Sequence, residues 1–344
     1  MSKAKTKIIK INPTKPQPKK IDAAATFIRN GKIVAFPTET VYGIGANAYD
    51  ANATERIFAV KGRPSDNPLI VHVDSLAMAQ HIGDIPKKYR KRISKIWPSP
   101  ITFIVKARVK LPQSVTAGLD TVALRMPAHP VALALIKSSG VPIAAPSANP
   151  SKKPSATTGK QATRYFKGKI DCILDGGECF FGLESSIIDL RDFSLLRPGP
   201  FTAEEITKMF GAKPRITKVT RGLAAASRMV SPGTKYRHYS PDTKLYLSTL
   251  SNAKTAGKLA KKKPKDFAFI GSVETCRYMK KKLGCETIEL GRRSDGYQIA
   301  KNLYTSLIKL DRLDRKFGVI ESFDEKGIGL ALMNRIRKAA PARL

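Results

Sequence analysis

Between Ile206 and Pro241 the chain carries not one acidic residue. This stretch has little apolar periodicity and ends in Ser231-Pro232-Gly233, so it lacks the regular apolar face that a helix or strand buries. A chain of 344 residues is also longer than one hydrophobic core usually serves. The segment therefore predicts a division: a domain over 1–212, a basic linker over 213–241 and a smaller domain over 242–344.

The two flanks follow different grammars. Before the break, Ile21 to Arg29 reads as a helix stopped by Asn30-Gly31, and Lys32 to Phe36 as a buried strand ended by Pro37. Asn52 with Glu55 predicts a capping box for a helix running to about Val60, and Thr202 with Glu205 a second one. Strands are expected near 8–11, 69–73, 101–106, 121–126, 142–145, 170–174 and 186–190. Helices are expected at 75–82, 86–96, 131–137 and 159–166. Strands and helices do not alternate strictly, so the fold class is α/β with a mixed sheet. After the break, strands at 245–250, 267–270, 287–290 and 319–321 alternate with helices at 252–263, 273–283, 295–313 and 330–339. That alternation predicts a small, doubly wound parallel sheet.

The charge is extreme: 62 Lys and Arg against 27 Asp and Glu give +35. The excess runs through the whole chain and is densest from Lys87 to Lys110, with nine basic residues and no acid. Such a surface suits a polyanion, with RNA or DNA the first candidate, and equally suits a solvated face adapted to its cytoplasm; composition leaves both open. No apolar run approaches membrane-spanning length, and the lysine-rich N-terminus has no continuous hydrophobic stretch, so neither a membrane span nor a secretory signal is expected. Four cysteines without a CxxC pair and four scattered histidines match no disulfide framework or zinc spacing, which predicts a reducing, cytoplasmic setting.

Motifs of P-loop, zinc-protease, nucleophile-elbow and dinucleotide type are absent; Gly43-Ile44-Gly45 lacks the third glycine. Lys61-Gly62-Arg63-Pro64 follows the helix that starts near residue 52. Two cations around a glycine suit a phosphate chain. On spacing alone they suit a helix end better, where the cations complement the dipole and glycine caps. Pro142 to Asn149 (PIAAPSAN) is a small-residue strand ending in a turn with Ser147 and Asn149. It would let a ligand approach the backbone, or it is an ordinary strand with an Asx-type turn.

The order of these pieces resembles the YrdC-type threonylcarbamoyl-AMP synthases in their long, two-domain form. The resemblance rests on FPTETVYGIGANA (36–48), KGRPSDNPLIVHV (61–73), WPSPITFIV (97–105), AGLDTVALRMPAHP (117–130), PIAAPSAN (142–149), GLESSIIDL (182–190), LLRPGPF (195–201), SPGTKYRHYSP (231–241) and GIGLALMNRIRKA (327–339). Ser99 stands where that family usually has Gly, and Thr234 where Met is common. The resemblance implies a YrdC-like twisted mixed sheet and a Rossmann-like second domain. It implies that L-threonine, bicarbonate or CO2, and ATP are joined into threonylcarbamoyl-AMP with release of pyrophosphate. A separate threonylcarbamoyl-transferase complex then moves the group to the adenosine beside the tRNA anticodon.

By the same resemblance Lys61 and Arg63 are catalytic. Thr38, His72, Arg125, Ala145 (through its backbone) and Ser185 line the threonine site. Lys61, Arg63, Asn67, Thr121, Ser147, Asn149, Ser155 and Arg197 surround ATP, with Tyr236 of the linker reaching over it as part of a lid. Mg2+ is expected with ATP, held by phosphates rather than by side chains. A weak association with tRNA or other RNA is a further expectation from the charge. Two other readings, a non-catalytic basic RNA platform and a carbamoyltransferase, sit less well. The first has no need of the uncharged PIAAPSAN pocket, and the second normally carries acylphosphatase and zinc-finger segments that this sequence lacks.

Overall fold

A computed structural model describes residues 5–224 and 239–344. Before the basic segment the strands are β1 (Lys7–Lys10), β2 (Val34–Phe36), β3 (Gly43–Asn47), β4 (Ile70–His72), β5 (Gly83–Asp84), β6 (Ile101–Ala107), β7 (Thr121–Arg125), β8 (Ile143–Ala145), β9 (Cys172–Asp175), β10 (Ser186–Asp189) and β11 (Ser194–Arg197). The helices there are α1 (Pro18–Arg29), α2 (Ala51–Lys61), α3 (Leu76–Ile82), α4 (Lys87–Ile96), α5 (Gln113–Thr116), α6 (Pro130–Ser139), α7 (Gly159–Phe166) and α8 (Ala203–Phe210).

The strands form one 11-stranded sheet in the order β1-β9-β2-β3-β8-β4-β7-β6-β10-β11, with β5 on β6. It is mixed, as expected: β4 runs parallel to β7 and β6 to β10, while β8 runs antiparallel to both β3 and β4. Both faces are covered, which explains the unbroken apolar run Ile33 to Phe36. Ile33 and Ala35 enter the core under α2, and Val34 and Phe36 enter the core under α1 and α6.

β3 was not legible as a strand because its Gly-Ile-Gly sequence has low strand propensity. The sheet explains the glycines. A Cβ at Gly45 would lie 2.5 Å from Ile143 Cγ2 and 2.9 Å from the Phe36 ring. The expected capping box at Asn52 and Glu55 is also corrected. Helix α2 begins earlier, capped by Asp50, whose carboxylate accepts from Ala53 N at 3.0 Å. Two good cap formers lie two residues apart, and the turn geometry at Asn47–Asp50 selects the first. The box at Thr202 and Glu205 is present with both hydrogen bonds. On α4, Tyr89, Ile93 and Ile96 face the core, leaving Lys87, Lys88, Lys91, Arg92 and Lys95 exposed on the outer side.

The first part of the basic segment is tied to the first domain. Leu195 N donates to Arg215 O, Arg215 N to Phe193 O, and Thr220 Oγ1 to Leu195 O at 2.7 Å. Beyond it come β12 (Lys244–Ser248), β13 (Phe267–Ser272), β14 (Glu286–Gly291), β15 (Phe317–Glu321) and β16 (Ala342–Arg343), with helices α9 (Asn252–Leu259), α10 (Val273–Leu283), α11 (Gly296–Leu310) and α12 (Gly329–Ala339). The sheet order is β14-β13-β15-β12-β16 and every pairing is parallel. Phe267 and Phe269 point to the side of α9 and α10, while Ala268 and Ile270 point to the side of α11 and α12. The doubly wound reading therefore holds. Helices α11 and α12 also carry Tyr304 and Arg335, which cross to the first domain.

Asp50→Ala should lower stability by about 1 kcal/mol, whereas Asn52→Ala, on the exposed flank of α2, should change it by less than about 0.5 kcal/mol. Chemical denaturation of both variants checks which residue caps the helix.

Candidate active site

The register of four neighbouring strands builds a cleft. β8 lies between β3 and β4, and β4 lies against β7, so Ala145 faces Ile70, and His72 pairs with Arg125 across the parallel β4–β7 ladder. Just past β8 the chain bridges Gly43 to Ser147 and enters the Ser147–Asn149 turn. Helix α2 ends against this turn, closed by Gly62 in the left-handed conformation (φ +59°). Gly62 is thus the helix cap, as one of the two sequence readings held. Lys61 is more than a helix-end charge. It is 4% exposed, and its Nζ donates to Ser147 O and Asn149 O, 2.5 Å each.

The resulting cleft brings together nine of the expected residues: Thr38, Lys61, Arg63, His72, Arg125, Ala145, Ser147, Asn149 and Arg197. Ser155 and Ser185 stand behind them. Ser155 Oγ donates to Glu184 Oε1 at 2.6 Å, and Ser185 accepts from Arg197 through both its carbonyl (2.9 Å) and its hydroxyl (3.0 Å). Asn67 is fully buried with both side-chain amide atoms lacking a hydrogen-bond partner among the described residues, and its carbonyl accepts from Arg63 at 3.1 Å. Thr121 starts β7, opposite Lys106, and Arg125 ends that strand. Four residues of strand span roughly 13 Å, which places Thr121 away from the cleft lining. Tyr236 lies outside the described residues.

The cleft also contains residues that sequence reasoning did not assign: Glu184, Tyr239, Val41, Tyr42, Gly43, Ser151 and Lys152. Glu184 was visible as a lone acid in the apolar run GLESSII, a pattern that signals a buried, paired carboxylate. Glu39 is a second one. It binds the Arg125 guanidinium at 2.8 Å, and the same nitrogen of Arg125 donates to Thr40 Oγ1 at 2.8 Å. The other face of that guanidinium keeps Nε buried without a partner among the described residues.

Burial dominates the site's electrostatics. It pushes the Lys61 ammonium well below its ordinary value, with Arg63 adding to the shift and Glu184 opposing it. Burial and then the neighbouring Arg125 lower His72 to about 3, so the imidazole is neutral at physiological pH and acts as a hydrogen-bonding group. Its Nδ1 lies 3.2 Å from Ile70 O. Arg197 falls to about 10, chiefly through burial. Burial would raise Glu184, but Arg335 and Arg197 outweigh it and hold the carboxyl at about 2.

Comparison with known proteins agrees with this geometry. Residues 26–199 match the Sua5/YciO/YrdC family, described as "Telomere recombination", and residues 201–341 match a family described as "Threonylcarbamoyl-AMP synthase, C-terminal domain". A threonylcarbamoyl-AMP synthase of Pyrococcus abyssi is 44% identical over 94% of this chain and 95% of its own length. The chain belongs to the threonylcarbamoyl-AMP synthase family. A Bacillus subtilis synthase of the same name is 40% identical over 94% of each chain. The crystal structure of P. abyssi Sua5 complexed with L-threonine superposes with a TM-score of 0.89 at 42% identity, covering 98% of both chains. The family's two-domain form thus extends over the whole fold described above.

A histidine held neutral in the fold but free to protonate when unfolded makes stability fall as pH drops below about 6.5, because the unfolded state then binds the extra proton. For His72, lowered to about 3, the loss between pH 7 and 5 should be about 2 kcal/mol. His72→Gln should roughly halve the slope of that part of the stability–pH curve measured by denaturant titration, leaving a comparable contribution from His129, which burial lowers to about 4.

Proposed function

We propose that this cleft makes L-threonylcarbamoyl-AMP from L-threonine, CO2 or bicarbonate, and ATP, with Lys61 and Arg63 acting on the phosphates. The carrying observation is a convergence of two unlike groups in one cleft. The buried Lys61 ammonium sits on the Ser147–Asn149 turn, and Arg125, with an unpartnered Nε, is paired in register with neutral His72. The first suits a polyphosphate and the second an amino-acid carboxylate and its polar neighbours. The threonine-bound relative supports the second assignment.

The chemistry needs no protein nucleophile. The neutral threonine amine attacks the carbon of CO2, a C–N bond forms, and the nitrogen loses a proton to give the carbamate. A carbamate oxygen then attacks the α-phosphorus of ATP while the bond to the bridging oxygen breaks and pyrophosphate leaves. What the chain supplies is orientation and compensation of phosphate charge in a water-poor cleft. Arg125 would fix the threonine carboxylate, with the Thr38 hydroxyl and His72 beside the amino acid. Ser147, Asn149, Arg197 and the orphaned amide of Asn67 would surround the nucleotide, with Ser155 and Ser185 supporting them from behind.

The described residues contain no cluster of three His, Cys, Asp or Glu able to hold a metal. Mg2+ would enter with ATP, carried by its phosphates, where the ion would supply further neutralisation of charge beside the cleft cations. The product is an activated acyl-phosphate anhydride, consistent with transfer to tRNA by a separate complex. Any RNA association of this chain would draw on the exposed cations of α4. No described helix is long and apolar enough to cross a membrane.

With Mg2+, ATP, L-threonine and bicarbonate the protein should release pyrophosphate, and omission of threonine should abolish the signal. Serine should be poorer by roughly 10–200-fold for want of one methyl group. Equal release without threonine would overturn the assignment.

Lys61→Ala and Arg63→Ala should each cut turnover by about 10²-fold or more while circular dichroism shows an intact fold. Near-normal turnover of both would return these residues to the helix-end role.

A further inference from the structure

Glu184 is the only acid among the described residues that line the cleft, and the cation that pairs with its carboxylate comes from the other domain. Arg335 of α12, fully buried, donates from Nε to Glu184 Oε2 at 3.1 Å and reaches the Glu184 carbonyl at 3.3 Å. A second arm of the same guanidinium binds Pro198 O at 2.5 Å, in the turn after Arg197. Tyr304 of α11 places its hydroxyl 2.8 and 3.1 Å from the two carboxylate oxygens. From its own domain Glu184 receives the Ser155 hydroxyl. The loop carrying Glu184 is also located by the second domain. At Gly182, with φ +70°, a Cβ would sit 2.4 Å from the Lys301 carbonyl oxygen on α11.

We propose that Arg335 is a positioning residue of the synthase, holding the Glu184 carboxylate compensated and turned away from the phosphates so that the cleft presents a cationic wall to ATP. The proposal rests on the synthase reading above. Its physical core is an asymmetry. A buried carboxylate with its arginine adds no net charge to the site, whereas the same carboxylate alone either protonates or repels the triphosphate. The charged and titratable groups facing Glu184 are Arg335 and Lys338 on α12, Tyr304 on α11, Tyr239 before β12, Arg197 on β11 and Lys61 on α2. Arg335 also lies 5.7 Å over the Tyr239 ring, which stacks on Tyr304 at 5.2 Å, so it touches a cleft-lining residue as well.

The test measures KM for ATP, kcat and unfolding temperature across pH 6–9 for the full chain and for Arg335→Met, Arg335→Lys and Glu184→Gln/Arg335→Met. With Arg335 gone, burial raises the Glu184 carboxyl against the remaining pull of Arg197 and the Ser155 and Tyr304 hydrogen bonds, so protonation is favoured at the low end of the range and the anion accumulates as pH rises. Arg335→Met should therefore show a KM for ATP that climbs with pH to about tenfold or more above wild type by pH 8.5, with kcat changing less. Arg335→Lys should be intermediate, and the double variant should return KM to within about threefold of wild type and flat in pH.

A folded Arg335→Met whose KM stays within about twofold of wild type at every pH overturns the proposal. So does a double variant no better than the single one. Should Arg335→Met not fold, the double variant, which leaves no unpaired charge, decides against Arg335→Lys: recovery of ATP affinity supports the proposal and its absence refutes it. Failure of the wild-type chain to release pyrophosphate would instead refute the synthase reading.

Discussion

Tight packing of the β3 glycines against the side chains of Phe36, Ile143 and Ala145 shapes one wall of the cleft. Ile143–Ala145 lies between β3 and β4, and on the β3 side there is no room for larger residues at Gly43 and Gly45. Gly45 meets Ile143 and Phe36 with no room for a Cβ, and Gly43 is nearly as tight against the Phe36 ring. β8 ends at Ala145, opposite Ile70, and the chain turns at Pro146 into the Ser147–Asn149 turn, while His72 stands two residues further along β4, opposite Ile143 and paired with Arg125.

Into this gap the fold gathers an unusual density of cations. Lys61, Arg63, Arg125 and Arg197 all line it, and water is largely excluded from Lys61, Arg125 and Arg197. Concentrated like charge is costly, and two buried carboxylates offset it: Glu39 on Arg125, and Glu184 among Arg197, Arg335 and Lys61. A site built this way is poised for a polyanion, because an entering triphosphate replaces lost solvation of the cations instead of breaking strong pairs. The depressed ammonium of Lys61 and the neutral imidazole of His72 are both products of that dryness.

The two domains meet through the same electrostatics. Arg335 and Tyr304 on Glu184 are joined by Asn334 on Thr220 O, Thr305 beside Thr157 and Gln161, and Lys301 on Glu178. These polar links on the floor of the cleft are joined by apolar packing of Val41 and Leu183 into the second domain's core and of Leu330 into the first's, so separating the domains would expose Glu184 and alter the charge seen by a nucleotide. The basic segment joins in: its residues 213–224 add a bridge to β11.

The sequence by itself determined the division into two α/β units, their different strand grammars and most elements to within a few residues. Those follow from apolar periodicity and from Gly, Pro and capping signals, which are local. It also located, by resemblance, nine residues that line the cleft. It could not show β3, whose glycines answer to Ile143 and Phe36 about a hundred residues apart in the chain, nor choose between Asp50 and Asn52 as the cap of α2. The placement of Lys61 in the cleft was likewise decided by tertiary structure, since a helix-end lysine is drawn inward only when a distant turn accepts its ammonium. Glu184 was plainly visible as an isolated acid, but its partner lies 151 residues away on α12. Electrostatic pairing in a dry interior depends on distance in space, and only the folded chain brings those groups together.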